Sequence, residues 1–123
     1  MANILLVEDE PTNAMVVKWI VERYFINHSL YHASSGKEAF ELLSYITFDL
    51  IFMDIYMPDM SGYETTMMIR NYLELTKVPI IALTSVEMNP DSLDFLNKGF
   101  NGYIPKPLNN ETFKNLVVDY IGK

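Results

Sequence analysis

The stretch "LIFMDIYMPDMSGYE", Leu50 to Glu64, carries an unbroken apolar run that stops on a carboxylate, Asp54. Leu50 to Met53 show no polar alternation, as expected of a parallel strand covered on both faces. After Asp54 come proline, a second aspartate and glycine, the residues of a loop. Ser61 with Glu64 then fits a capping box, in which a serine hydroxyl and a glutamate three residues on satisfy the free amides of a helix start. The stretch therefore reads as strand, loop and helix. An aspartate closing a core strand can cap the loop, bind a metal or act as a nucleophile, and whatever else reaches the same place separates these uses.

Four further short runs flank this one: Asn3 to Val7, Ser29 to Ala33, Pro79 to Leu83 and Gly102 to Ile104. The first and fourth are nearly continuous apolar runs. The second and fifth are less apolar and belong nearer the sheet edges. Helical spacing recurs between the strands: Val16, Ile20, Val21 and Tyr24; then Phe40, Leu43 and Ile46 behind a capping box of Ser35 and Glu38; then Ile69, Tyr72 and Leu73; then Leu93 and Leu96; then Phe113, Leu116, Val117 and Tyr120. Gly99 and Gly122 would end the fourth and fifth helices. Strand followed by helix, five times over, predicts an α/β fold with a doubly wound, mostly parallel sheet of five strands and five helices. Ligands of such folds sit beyond the carboxyl ends of the strands.

Composition narrows the function. A chain of 123 residues, half of them hydrophobic, is one domain able to bury a core without disulfides. With 16 acidic and 9 basic residues the net charge is −7, which disfavours an electrostatic grip on nucleic acid or on an anionic membrane. The absence of cysteine removes thiol catalysis and thiolate metal ligands. No apolar run is long enough to span a bilayer, and "MANILLVEDE" lacks the features of a signal peptide, so a cytoplasmic location is expected.

The predicted strand ends gather chemistry. Glu8, Asp9 and Glu10 follow the first strand, Asp54 ends the third, Thr84 and Ser85 end the fourth, and Lys106 follows the fifth. Alone, each has an ordinary reading: a solvated charge run ahead of a helix, a turn aspartate, a surface lysine, a strand threonine. Their joint occurrence at the ends of four strands singles them out. Carboxylates ~4 Å apart at an effective dielectric near 20 repel by about 4 kcal/mol per pair, so the cluster needs a cation or a proton. Glu8, Asp9 and Asp54 against Lys106 leave a charge of −2, which one divalent ion cancels. All-oxygen ligation favours a hard ion, Mg²⁺ with Mn²⁺ as a substitute. With that ion, Asp54 can be a nucleophile toward a phosphoryl group, with Lys106 and Thr84 stabilising the phosphoryl oxygens.

In order and spacing, "ILLVEDEPTN", "DLIFMDIYMPDMSGYE", "IIALTS" and "GYIPKP" closely resemble the receiver domain of two-component response regulators, and the resemblance covers nearly the whole chain. It implies a flavodoxin-like strand order of 2-1-3-4-5 and a single receiver domain over residues 1–123 without an output domain. It also implies a phosphoacceptor at Asp54, metal ligation by Glu8, Asp9, Asp54 and the main-chain carbonyl of Tyr56, a phosphate-facing lysine at Lys106 ahead of a cis bond to Pro107, and a switch formed by Thr84 and Tyr103. Glu10, Tyr56, Met57, Ser85 and Val86 flank the site and would modulate it. The partners implied are a histidine kinase or histidine phosphotransfer protein as donor, and a protein target on the surface of the fourth helix, fifth strand and fifth helix. The domain would be a monomer or a weak phosphorylation-dependent dimer. It would be a signalling switch rather than an enzyme, although it catalyses its own phosphotransfer.

Tyr56 is bulky where the family varies and would shield an acyl phosphate. Ser85 is larger than the usual small residue and bears on donor access. A haloacid-dehalogenase-type hydrolase would need a second aspartate where Tyr56 stands, and an FMN carrier would need a phosphate cradle where "EDEPTN" is anionic. A pseudo-receiver that keeps the fold without the phosphate switch, and a receiver piece of a hybrid kinase, are the remaining alternatives. Outside the cluster, His28 and His32 are expected in surface or edge roles away from the acids, Trp19 in packing, Met53 in the core and Met57 in loop packing.

Overall fold

A computed structural model of the protein describes residues 1–85 and 98–123. Its five strands, β1 (Asn3–Val7), β2 (Ser29–Ala33), β3 (Leu50–Asp54), β4 (Ile80–Thr84) and β5 (Gly102–Pro105), form one parallel sheet in the order β2-β1-β3-β4-β5. Four helices lie among the described residues: α1 (Pro11–Tyr24), α2 (Gly36–Leu43), α3 (Gly62–Asn71) and α4 (Asn110–Ile121). α4 is the segment expected as the fifth helix. The expected fourth, with Leu93 and Leu96, falls in residues 86–97, outside the described residues, as does Val86.

Alternation along each strand feeds two separate cores. Ile4, Leu6, Leu50, Phe52, Ile81 and Leu83 pack against Ala14, Val17, Ile20 and Val21 of α1 and Phe113 and Val117 of α4. On the other face Leu5, Val7, Ile51, Met53, Ile80 and Ala82 pack with Ala39 of α2 and Ile69 of α3. The central strands β1, β3 and β4 are almost wholly buried, which is why they read as continuous apolar runs. Burying one such Leu, Ile or Phe side chain stabilises the fold by roughly 1.5–3 kcal/mol. β2 and β5 stand at the edges, as their composition predicts.

The helix starts follow local chemistry. Ser35 accepts from the Glu38 N–H and Ser61 from the Glu64 N–H, both at 3.2 Å, so both serines cap as predicted. Asn109 caps α4 in the same way through the Thr112 N–H at 3.0 Å. α1 has no side-chain cap and begins instead with Pro11, whose missing N–H costs nothing at that position. Its buried stripe is Ala14, Val17, Ile20 and Val21: Ile20 and Val21 face the core as predicted, while Ala14 and Val17 take the buried places and Val16 and Tyr24 are exposed. Tyr72 is also exposed rather than core-facing, since α3 ends at Asn71 and buries Thr65, Thr66 and Ile69. Tyr120 is likewise exposed. Gly122 (φ 75°) does cap the last helix, and Gly99 takes φ 91° in the described segment before β5.

Candidate active site

Parallel strands carry their terminal residues to one edge. Glu8 directly follows β1, Asp54 is the last residue of β3, Thr84 is the last of β4, and Lys106 follows β5. Glu8, Asp9 and Asp54 each offer a carboxylate oxygen within 4.8 Å of the others, the one such acidic group found among the described residues. Glu8 and Asp54 are buried, at 1% and 4% exposure. Lys106 Nζ lies 3.1 Å from Asp54 Oδ1, to which it donates, and 2.9 Å from Glu8 Oε1. The second contact is an ion pair without hydrogen-bond alignment, so Glu8 Oε1 is buried with no hydrogen-bond partner.

Electrostatics follow from this crowding. Burial, then hydrogen bonding with Glu8 and Asp9 and the charge of Glu8, push the Asp54 carboxyl up to about 7 against the opposing effect of Lys106. At Lys106 burial works to lower the ammonium's affinity for its proton, yet its contacts with Glu8 and Asp54 outweigh this and hold it above its ordinary value. A single lysine therefore does not neutralise the cluster. An all-carboxylate donor set and negative charge in excess of the one lysine together fit a hard divalent cation.

The loop that follows Asp54 is seated by a glycine. A Cβ added to Gly62 would overlap the Asp54 main-chain oxygen and stand 2.8 Å from Ile55 Cα, and the Gly62 N–H donates to the Ile55 carbonyl at 2.8 Å. Only glycine lets the start of α3 lie on the end of β3 in this way. Within the loop Asp59 takes φ 70°, Met57 is buried and Tyr56 is exposed at 59%. Met53 is fully buried. On the opposite side Thr84 is buried, its carbonyl accepts the Lys106 N–H at 2.8 Å, and Ser85 is exposed. Tyr103 pairs with Ala82 across β4 and β5 and packs half-buried on the α2/α3 side of the sheet. Glu10 is exposed, and its N–H reaches Glu8 Oε2 at 3.3 Å. The Lys106–Pro107 bond is cis.

Three expectations require correction. His28 is buried rather than on the surface, because its ring joins the two ends of the chain: Nδ1 accepts the Ala2 N–H at 3.0 Å and Nε2 donates to the Gly122 carbonyl at 2.9 Å. His32 is not remote from the acids, since its Nε2 lies 2.8 Å from the Glu8 carbonyl oxygen. Trp19 is exposed on α1, edge-on to Tyr24 and beneath Arg23, because the buried stripe of that helix passes beside it. Gly62 was legible only as a residue costly to a helix start, a cost that signals close backbone approach. His32 gave no sequence signal, since its partner is a main-chain atom just beyond the neighbouring strand.

A doubly wound parallel sheet with an acidic, lysine-flanked pocket beyond the carboxyl ends of its strands is the architecture of the receiver class. A family model described as "Response regulator receiver domain" matches residues 4–118, and the chain belongs to that family. Among curated proteins it is 36% identical over 121 residues to the probable transcriptional regulator ycf29 of Porphyra purpurea, covering 97% of this chain and 56% of that protein, so it spans little more than half of that relative's length. It is 31% identical to the polar-differentiation response regulator DivK of Brucella ovis, covering 98% of this chain and 96% of the relative. Among solved structures it is similar to the receiver domain of a sensor histidine kinase from Pseudomonas aeruginosa PAO1, with 30% identity, a TM-score of 0.83, and 99% and 98% of the two chains covered; that structure is described as holding a magnesium ion in its active-site cleft. No helix among the described residues is long and apolar enough to cross a membrane.

Proposed function

We propose that residues 1–123 act as one receiver unit that accepts a phosphoryl group on Asp54 from a phosphohistidine donor and thereby changes the surface it offers to a partner. The observation that carries this reading is the state of Asp54: a buried carboxylate, pushed up to about 7, held 3.1 Å from Lys106 at a strand end. An oxygen of Asp54 attacks phosphorus, the phosphorus–nitrogen bond to the donor breaks, and the departing imidazole nitrogen keeps the electron pair and takes a proton from solvent. Lys106 moves its ammonium contact from Asp54 to a phosphoryl oxygen, and the Thr84 hydroxyl donates to another. Glu8, Asp9, Asp54 and the main-chain carbonyl of Tyr56 would hold Mg²⁺, or Mn²⁺ in its place. When bound, that ion supplies positive charge against the phosphoryl oxygens and cancels the residual charge of the cluster. The magnesium described for the Pseudomonas relative supports this assignment.

Withdrawal of Thr84 toward the phosphoryl group leaves space on the side of the sheet where Tyr103 already packs, biasing an equilibrium between two arrangements. The donor is a histidine kinase or histidine phosphotransfer protein, and the target reads β5, α4 and the segment ahead of β5, in the cytoplasm. A response regulator, DivK, and the receiver domain of a sensor histidine kinase are both similar to this chain, so the reading fits either setting. Tyr56 stands exposed beside the nucleophile and would slow hydrolysis of the acyl phosphate; an unchanged phosphoryl lifetime in Tyr56→Asn would remove that role. Intact-mass measurement after incubation with acetyl phosphate or phosphoramidate and Mg²⁺ tests the proposal. One added phosphoryl group is expected on the parent protein and none on Asp54→Asn. No added mass on the parent with either donor would leave a binding module that keeps the fold without the phosphate switch.

A further inference from the structure

The peptide between Glu8 and Asp9 carries the side chains of two cluster acids on its flanks, so its orientation sets how those carboxylates stand to one another. In the parallel pairing of β1 with β2 the Glu8 N–H donates to the Ala33 carbonyl at 3.0 Å. One more rung of that ladder would bring the Ser35 N–H to the Glu8 carbonyl. Ser35 leaves the sheet instead. It is the N-cap of α2, at φ −156° and ψ 167°, with its hydroxyl oxygen turned to the Glu38 N–H. A strand-end carbonyl beside a buried acid is thereby left without its ladder donor. His32, three residues before Ser35 and paired with Leu6, supplies one: its Nε2 stands 2.8 Å from the Glu8 oxygen. A carbonyl oxygen can only accept, so Nε2 carries the proton. The ring is not one of the clustered ligand groups.

We propose that His32 is a positioning residue for the acidic pocket: its Nε2–H holds the Glu8–Asp9 peptide plane and through it the relative placement of the two carboxylates. The proposal rests on the cation-binding reading of that pocket. A histidine that merely completed the sheet edge would change stability alone, whereas a positioning residue changes the affinity of the cluster for a cation. Leucine at this position removes the donor. Glutamine restores an amide N–H at nearly the same reach.

The experiment measures Mn²⁺ binding to the full chain by the electron-spin signal of free Mn²⁺, for the parent, His32→Leu and His32→Gln, with thermal unfolding of each recorded alongside. The parent should bind Mn²⁺; a parent that binds none overturns the cation site itself, and this proposal with it. His32→Leu should raise the Kd roughly 3- to 30-fold, with the same shift in the Mg²⁺ concentration needed for half-maximal labelling by acetyl phosphate, and His32→Gln should recover most of the loss. Equal Mn²⁺ affinity in the parent and a folded His32→Leu overturns the proposal while leaving the cation site intact. Should the leucine variant fail to fold, ¹⁵N–¹H spectra of the neutral imidazole in the unmodified protein decide: a proton on Nε2 is expected, and a proton on Nδ1 rules the contact out.

Discussion

The two ends of the sheet bury charge in opposite ways. At the carboxyl end three carboxylates face one lysine, Glu8 Oε1 has no hydrogen-bond partner, and Asp54 holds its proton up to about 7. At the amino end Arg70, in the last turn of α3, gives its hydrogens to neutral oxygens: the Gly99 carbonyl from Nε at 3.0 Å and Nη2 at 2.8 Å, the Leu75 and Val78 carbonyls from Nη1 at 3.0 and 2.6 Å, and Asn101 Oδ1 from Nη2 at 2.8 Å. Asn101 Oδ1 also accepts the Ile80 N–H at 2.9 Å, so one guanidinium ties α3, the loop behind it, β4 and the approach to β5. Burial lowers its affinity for its proton, but guanidinium stays charged at any ordinary pH. The amino end is closed by its own hydrogen bonds, whereas the carboxyl end carries an excess of negative charge that a proton or a cation offsets.

The contrast predicts mutations of opposite sign. Arg70→Ala strips five hydrogen bonds and leaves three loop carbonyls without their donor, so a loss of roughly 3 kcal/mol or more is expected in urea unfolding; a loss below about 1 kcal/mol would mean the latch is ornamental. Asp54→Asn relieves repulsion among the acids and should stabilise the metal-free protein by roughly 1–3 kcal/mol. Were it to destabilise instead, the carboxyl end would not be the strained half of the pair.

Proton linkage sharpens the same point. Folding raises Asp54 from 3.8 to about 7, so between those values the folded protein keeps a proton that the unfolded chain has released. The stabilisation is fully present below the lower value and is lost as pH rises through the upper one, by on the order of 2–4 kcal/mol. Unfolding with a chelator present should therefore need more urea near pH ~5 than near pH ~8. Mg²⁺ should restore most of the loss, and Asp54→Asn should abolish the difference that Asp54 makes.

Smaller effects separate positioning from chemistry at the carboxyl end. Gly62→Ala forces a Cβ against the main chain of Asp54 and Ile55, and should cost roughly 1–3 kcal/mol while slowing phosphoryl labelling. Labelling at the parent rate would show that the end of β3 can shift without harm. Ser61→Ala, one residue earlier, removes only the cap of α3, an expected loss of about 1 kcal/mol with labelling unchanged.

Much of this was legible in the chain. Continuous apolar runs identified β1, β3 and β4, because strands covered on both faces have no polar side to show. The serine caps were readable because their partners lie three residues away. Once the sheet is parallel, residues at strand ends must meet, and so Glu8, Asp9, Asp54, Thr84 and Lys106 could be assigned to one edge. The exposure of Trp19, Val16 and Tyr24 was not readable: a helix with apolar residues on several sides turns inward the side that fits the sheet, and that choice depends on the shape of the surface beneath.

The sequence alone thus determined which side chains arrive at the carboxyl edge, and that their charge calls for a cation or a proton. Only the tertiary structure decided how that edge is held. His32 on the Glu8 carbonyl, Gly62 against the Asp54 carbonyl and Arg70 on the Gly99, Leu75 and Val78 carbonyls all act on main-chain atoms. Every residue carries the same carbonyl, so nothing in the partner's identity marks such a contact, and strand register and loop path select which carbonyl is met.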